Sequence, residues 1–173
     1  ADGETPTLSY AWTVDGNLVA ETSDTLTQAF TVGSTIVCSV TPTDATVSGS
    51  AVSASTTVGN TAPVVDSVSL NTPVLSDDTV TASASLSDID SSQSVTANYD
   101  WYVNGTLVQS GQTDTLDGSY FVKGDNVYVI VTPNDGTVNG TPVSSSSITI
   151  DNTAPSNLVV SVSSSDNFYN DST

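Results

Sequence analysis

A strand ending in a tight turn occurs twice in this chain, and it limits what the rest can become. One copy reads Tyr10-Ala11-Trp12-Thr13-Val14-Asp15-Gly16 and the other Tyr99-Asp100-Trp101-Tyr102-Val103-Asn104-Gly105. Successive side chains of a strand point to opposite faces, so Tyr, Trp and Val share one face in each copy. Asp-Gly and Asn-Gly are the pairs that most readily adopt the backbone of a two-residue hairpin. The chain has 2 Trp, and both fall at this point of the motif. Other matches follow in the same order. Val32-Gly33 matches Lys123-Gly124, and Val40-Thr41-Pro42-Thr43-Asp44 matches Val131-Thr132-Pro133-Asn134-Asp135. Gly49 matches Gly140, and Asn60-Thr61-Ala62-Pro63 matches Asn152-Thr153-Ala154-Pro155. The repeat is roughly 90 residues long, the size of a domain rather than of a solenoid unit.

One complete unit spans 61–152. Its predicted strands are Val64 to Leu70, Thr79 to Leu86, Asn98 to Val103, Thr106 to Gln109, Asp114 to Phe121, Val127 to Thr132 and Val143 to Ile150. Turn residues punctuate them regularly and no helical periodicity intervenes, which predicts a seven-stranded antiparallel β-sandwich. Residues 1–60 supply only the later strands of such a unit, and 153–173 only an opening strand, Leu158 to Val162. The two ends together lack about ten residues, the counterpart of a second strand around Val80 to Ile89. A central strand cannot be left out without orphaning its neighbours' backbone groups. Either the chain is a window on a longer array, or subunits share strands, with 153–173 completing a neighbour's 1–60.

Composition narrows the chemistry. One basic residue, Lys123, stands against 19 acidic ones, for a formal charge of −18. Nucleic acid and anionic lipid are recognised through Lys and Arg clusters, so neither is an expected partner. Charge imbalance of this kind also marks disordered chains, but here 36% of residues are hydrophobic and periodically placed. Ser and Thr make up about a third of the chain, and Val leads the apolar set, as in strands. No apolar run reaches the ~18 residues that span a bilayer. With 0 His, 0 Met and 1 Cys, there is no ligand set for zinc, copper, haem or iron–sulfur clusters. His-dependent triads are excluded as well. Carboxylates, hydroxyls and carbonyls remain, which suit hard cations such as calcium. The pattern places no carboxylate pair in an apolar cleft, so no catalytic residue is expected.

The set Asp88-x-Asp90, Tyr99-x-Trp101, Asn104-Gly105, Val131-Thr132-Pro133-x-Asp135-Gly136 and Asn152-Thr153-Ala154-Pro155 resembles the immunoglobulin-like repeats of large prokaryotic secreted or cell-surface proteins, beside their cadherin-like and PKD-like relatives. The copy at Asp44-Ala45 departs from it by lacking the Gly found at Gly136. The resemblance implies tandem Ig-like sandwiches joined by short Asn-Thr-Ala-Pro linkers, in an extracellular rod, stalk or filament. Its partners would be neighbouring repeats or identical subunits, end to end. A Pro just before the first strand fixes φ and extends the residue ahead of it, so such linkers bend little. The rival expectation is an adhesive module that binds glycan or protein through its loops, such as Asn134 to Gly140. Tyr102, Tyr120 and Tyr128 are candidates for a surface patch.

Trp12 and Trp101, with Tyr10 and Tyr99, are expected to pin the cores of their sandwiches, as the third-strand Trp does in immunoglobulin domains. Cys38 aligns with Val129 on an inward position. It is either a buried thiol acting as a small hydrophobe or half of an inter-sheet disulfide whose partner lies on the missing strand. Asp88 and Asp90 are the candidate calcium ligands, with Asp77, Asp78, Asp135, Asp151 and Asn152 near other turns and junctions. The alternative is that Asp simply suits turns and keeps a β-rich surface soluble. Asn104, Asn139 and Asn170 head Asn-x-Ser/Thr glycosylation triplets, the first two within ordinary turn sequences.

Overall fold

The two Trp strands form the spines of two sheets. The computed structural model describes residues 5–155; the strand expected at Leu158 to Val162, and Asn170, lie outside them. In the first unit β1 (Thr7–Val14), β2 (Asn17–Val19), β3 (Thr35–Thr43) and β4 (Val52–Thr57) make one antiparallel sheet, ordered β2-β1-β3-β4. The second unit contains β5 (Val64–Leu70), β6 (Val80–Ser87), β7 (Thr96–Val103), β8 (Thr106–Gly111), β9 (Thr115–Leu116), β10 (Asn126–Asn134), β11 (Val143–Ser144) and β12 (Ile148–Thr149). Here β5-β6-β9 form one sheet, and β8-β7-β10 form the other, with β11 and β12 both paired to β10.

Register shows why the second unit closes. Tyr99, Trp101 and Val103 pair across β7–β10 with Val131, Val129 and Val127, so all six share a face. Trp101 and the three valines are fully buried, and they cluster with Val80, Ala82 and Leu116 from the opposite sheet. The unit is a two-sheet antiparallel β-sandwich. Burying each such side chain contributes roughly 1.5–3 kcal/mol, the main term that opposes chain entropy.

Two strands differ from expectation. The one expected over Asp114 to Phe121 shortens to β9, because Asp117 accepts from the Ser119 N–H at 2.9 Å and starts a 3₁₀ turn at Gly118–Tyr120. The closing strand splits into β11 and β12. Ser145 turns inward between them, donating its N–H to the Val129 carbonyl at 2.9 Å and accepting the Val129 N–H on Oγ at 3.1 Å. The unit therefore has eight strands rather than seven.

The first unit pairs in the same register. Tyr10, Trp12 and Val14 oppose Val40, Cys38 and Ile36, with Val52 and Ala54 next across β3–β4. This makes an apolar face backed by a Ser/Thr-rich one. Among the described residues no second sheet covers it, and no apolar side chain of residues 5–59 is fully buried. Trp12 and Tyr10 are therefore half-exposed rather than sealed in a core. A depression of about 230 Å³ lies beside Trp12, lined by Ile36, Cys38, Ala54, Ser55 and Thr56.

Candidate functional site

The hairpins set the frame. Asp15 and Gly16 have φ of 51° and 78°, and Asn104 and Gly105 have 50° and 79°, the left-handed pair a two-residue turn needs. Asp15 Oδ1 accepts the Thr35 N–H at 2.8 Å, and Asn104 Oδ1 accepts the Asn126 N–H at 3.0 Å. Each indole also finds a carbonyl, Trp12 that of Ser23 at 2.9 Å and Trp101 that of Thr113 at 3.2 Å. Burial of the apolar ring with its N–H satisfied is the economical use of a core Trp. The Asn104 amide is engaged at both ends, since its Nδ2 donates to Asp125 at 2.7 Å. A glycan on that nitrogen would have to give up the bond. Asn139 is exposed and uses its Oδ1 to accept from Asn134 at 2.6 Å. Cys38 is a free, half-buried thiol.

The densest polar constellation lies where residues 60–63 enter the second unit. Asp88 and Asp90 are there, and they are joined by Asn60, Gln93 and Asp135. Asn60 Nδ2 donates to Asp135 Oδ2 at 2.8 Å, and the Thr61 N–H donates to Asp90 Oδ2 at 2.7 Å. Asp135 Oδ1 accepts the N–H groups of Thr137 at 2.6 Å and Val138 at 2.7 Å. Gln93 Nε2 donates to Thr137 Oγ1 at 3.3 Å, and its backbone N–H to the Asp90 carbonyl at 2.9 Å. Asp88 Oδ1 accepts the Asp90 N–H at 2.8 Å. The bonds thus run in a closed ring from Asn60 through Asp135, Thr137, Gln93 and Asp90 back to Thr61, with Asp88 attached at Asp90.

Asp135 is only 5% exposed. The Asn60 amide, then the backbone donors of Val138 and Thr137, hold its carboxyl below the usual carboxylate range. Three buried oxygens of this constellation have no hydrogen-bond partner among the described residues: Asn60 Oδ1, Asp88 Oδ2 and Gln93 Oε1. Among the described residues no group of three or more His, Cys, Asp or Glu converges on one point, so carboxylates alone do not make a metal centre. The sequence singled out Asp88 and Asp90 but not Asn60 or Gln93, and the folded chain brings all four into one hydrogen-bonded ring. The one available signal was Asn60 standing directly ahead of the Thr-Ala-Pro linker.

Pro63 is also held tightly. Its carbonyl oxygen lies 1.8 Å from where a Cβ on Gly140 would stand, so only Gly lets the linker cross there. At the other end of the unit, Thr153 Oγ1 donates to Asp77 and lies 3.1 Å from Ser76 Oγ. On the outer face of the five-stranded sheet, Tyr102 and Tyr128 stack with ring centroids 4.9 Å apart and planes 1° from parallel. Farther along the same strands is a polar groove whose lining includes Asn98, Asp100, Thr132 and Asn134.

Fold and site together define an all-β chain in which a hydrogen-bonded polar ring forms where residues 60–63 run into β5. No family model and no curated protein matches the chain. Among solved structures it is similar to the fibronectin(III)-like modules of Clostridium thermocellum CbhA, with 16% identity and a TM-score of 0.35, over 88% of this chain and 82% of that one. Likeness this loose leaves function to be argued from the residues of this chain.

Proposed function

We propose that this chain is a non-catalytic structural module of an extracellular rod, stalk or filament, built from Ig-like units in tandem. The observation that supports it is the apolar face of β1, β3 and β4, which no second sheet covers among the described residues. The equivalent face in the second unit is sealed by β5, β6 and β9. A half-sandwich that exposes Trp12, Ile36 and Cys38 is a surface made to be covered. Strands equivalent to β5 and β6 are the cover that fits, supplied by a preceding stretch of chain or by another subunit. The unit repeats along its axis in either case, and the short linker, fixed at Asn60, Thr61 and Pro63, carries direction from one unit to the next. Dense negative charge keeps neighbouring rods apart. Scarce Lys and abundant Ser and Thr fit a secreted setting.

Acrylamide quenching of a Trp101→Phe variant isolates Trp12. In the assembled state Trp12 should resist quenching, and Trp12→Asp should abolish end-to-end association while the second unit melts unchanged. Free quenching of Trp12 in the assembly would rule the reading out. The stacked Tyr102–Tyr128 pair favours a second reading, adhesion through the outer sheet face rather than through the loops. Loss of glycan or protein binding in a Tyr102→Ala, Tyr128→Ala variant would support it.

A further inference from the structure

We propose that β4 is an interaction surface for a second copy of this chain, two β4 strands pairing antiparallel at the edge of the first sheet. β4 is the end strand of that sheet among the described residues, and it is exposed along its whole length. An exposed strand edge is a template for another strand unless something blunts it. The equivalent edge of the second unit is blunted, and matching hydrogen bonds allow the two to be compared by position. Gly33 donates its N–H to the Val58 carbonyl as Gly124 does to that of Ile150, and Gly49 donates to Pro42 as Gly140 does to Pro133. Pro142 stands where the first unit has Ala51. Between Val143 and Ile150 lie six residues, 144–149, against five between Val52 and Val58, 53–57. The extra residue is taken up where Ser145 turns inward and splits β11 from β12, as in a bulge. β4 has neither device and runs unbroken from Val52 to Thr57. The second unit's edge is also crossed by the Leu75–Asp151 bridge. Asp151 matches Gly59, beyond the end of β4, so strands equivalent to β5 and β6 would cover the apolar face and still leave β4 free.

The backbone of β4 selects the partner and the register. Val58 bonds toward β3 with both groups, donating to Ser34 and accepting from Gly33, each at 2.9 Å. Backbone direction alternates along an antiparallel strand. Thr56, Ala54 and Val52 therefore bond toward β3 as well, and Ser53, Ser55 and Thr57 turn their N–H and C=O to the edge. The 2.7 Å contact between Ser39 Oγ and Ser53 Oγ fits, since side chains come closest in the non-hydrogen-bonded pairs. A twofold axis through Ser55, perpendicular to the sheet, sets Ser55 against Ser55 of the second copy and Ser53 against its Thr57. Each such pair exchanges two bonds, so every outward group of β4 is satisfied. On the face that carries Trp12, Val52 then lies opposite Val58 of the second copy and Ala54 opposite its Thr56. Val52 is 72% exposed without that neighbour. Charge points to the same edge. The chain carries −18, yet no charged residue lies between Asp44 and Asp66. Repulsion opposes contact between charged surfaces and leaves this neutral edge for two copies to meet. The contact is isologous and closes as a dimer. It is side by side, and it does not depend on the end-to-end reading.

The test is sedimentation equilibrium of the full chain at low and high salt, with amide exchange followed residue by residue. One pair of short strands is a small interface, so a Kd between about 1 μM and about 1 mM is expected. At the top of that range the mean mass should approach twice that of the chain, and salt should tighten the dimer by screening repulsion. Exchange at Ser53, Ser55 and Thr57 should slow about fivefold on dimerisation, whereas Ala54 and Thr56 stay protected at every concentration. Ser55→Pro removes an outward donor and spares the ladder to β3, a change that edge strands tolerate; it should leave the chain monomeric. Ser55→Glu sets two like charges opposite each other on the axis and should raise Kd about tenfold or more; it serves if Ser55→Pro disturbs the strand. A monomer throughout the range, association unchanged in Ser55→Glu, a dimer that salt weakens, or association without slowed exchange at the three outward amides would overturn the proposal. End-to-end association is read separately, from Trp12 quenching, and leaves those three amides exchanging fast.

Discussion

Two tryptophans in the same register position differ in what covers them, and the difference is measurable. Trp101 is fully buried against Val129 and the opposite sheet, whereas Trp12, paired with Cys38, is only half-buried by the described residues. Removing a buried aromatic costs its transfer free energy plus the cavity left behind, about 3–5 kcal/mol. A half-exposed ring leaves no closed cavity, so only part of the transfer term is lost, about 1–2 kcal/mol. Trp101→Ala should therefore unfold the second unit at much lower denaturant, and Trp12→Ala in the unassembled chain should shift its own transition by less than half as much. Urea melts read by amide hydrogen exchange within β3 and within β10 would report each unit separately. Equal losses would mean that the face around Trp12 is covered after all.

At the level of elements, what could be read from the sequence tracks how local the determining interaction is. Strands β7 and β10 place Tyr, Trp and Val at alternate positions, so which of their faces turns inward follows from pattern alone. The 3₁₀ turn after β9 and the break between β11 and β12 depend on single hydrogen bonds from Asp117 and Ser145, which no periodicity announces. Part of the candidate site was similarly visible. The pair Asp88 and Asp90 is local, but Asn60 reaches Asp135 across 75 residues, and only the folded linker brings them together. The two matching glycines test that linker. At Gly140 an added Cβ would collide with the Pro63 carbonyl, a backbone group that cannot swing aside. At Gly49 it would press on the Pro42 ring, at 3.0 Å, and touch the Pro42 carbonyl oxygen at an ordinary 3.5 Å. Gly140→Ala should destabilise the second unit by about 1–3 kcal/mol or more, the range for overpacking, and loosen hydrogen exchange at Thr61. Gly49→Ala should cost only a few tenths in an unassembled chain. A mild Gly140→Ala would show that the linker leaves this path in solution.

Across the whole molecule, two electrostatic effects act with opposite signs, and pH separates them. A formal charge of −18 repels itself, so lowering the pH from neutral first relieves repulsion, and salt does the same by shortening the Debye length from ~10 Å at 0.1 M to ~3 Å at 1 M. Against this, specific hydrogen bonds hold particular carboxylates below their usual range. Asn104 and the Val122 N–H lower Asp125, Asn60 and Val138 lower Asp135, and backbone donors lower Asp44 and Asp117. A depressed folded-state value contributes stability in full above the ordinary value of 3.8. That contribution is lost as pH falls through the lowered values, because the unfolded chain binds protons first. Melting temperature should thus rise on mild acidification and fall steeply once pH drops below 3.8. High NaCl should flatten the neutral limb, where long-range repulsion acts, and leave the acid limb, set by short hydrogen bonds. Asp135→Asn should soften the acid limb without altering the salt response at neutral pH. If salt flattened both limbs equally, repulsion alone would govern the molecule, and the bonds at Asp125 and Asp135 would have no separate share in its stability.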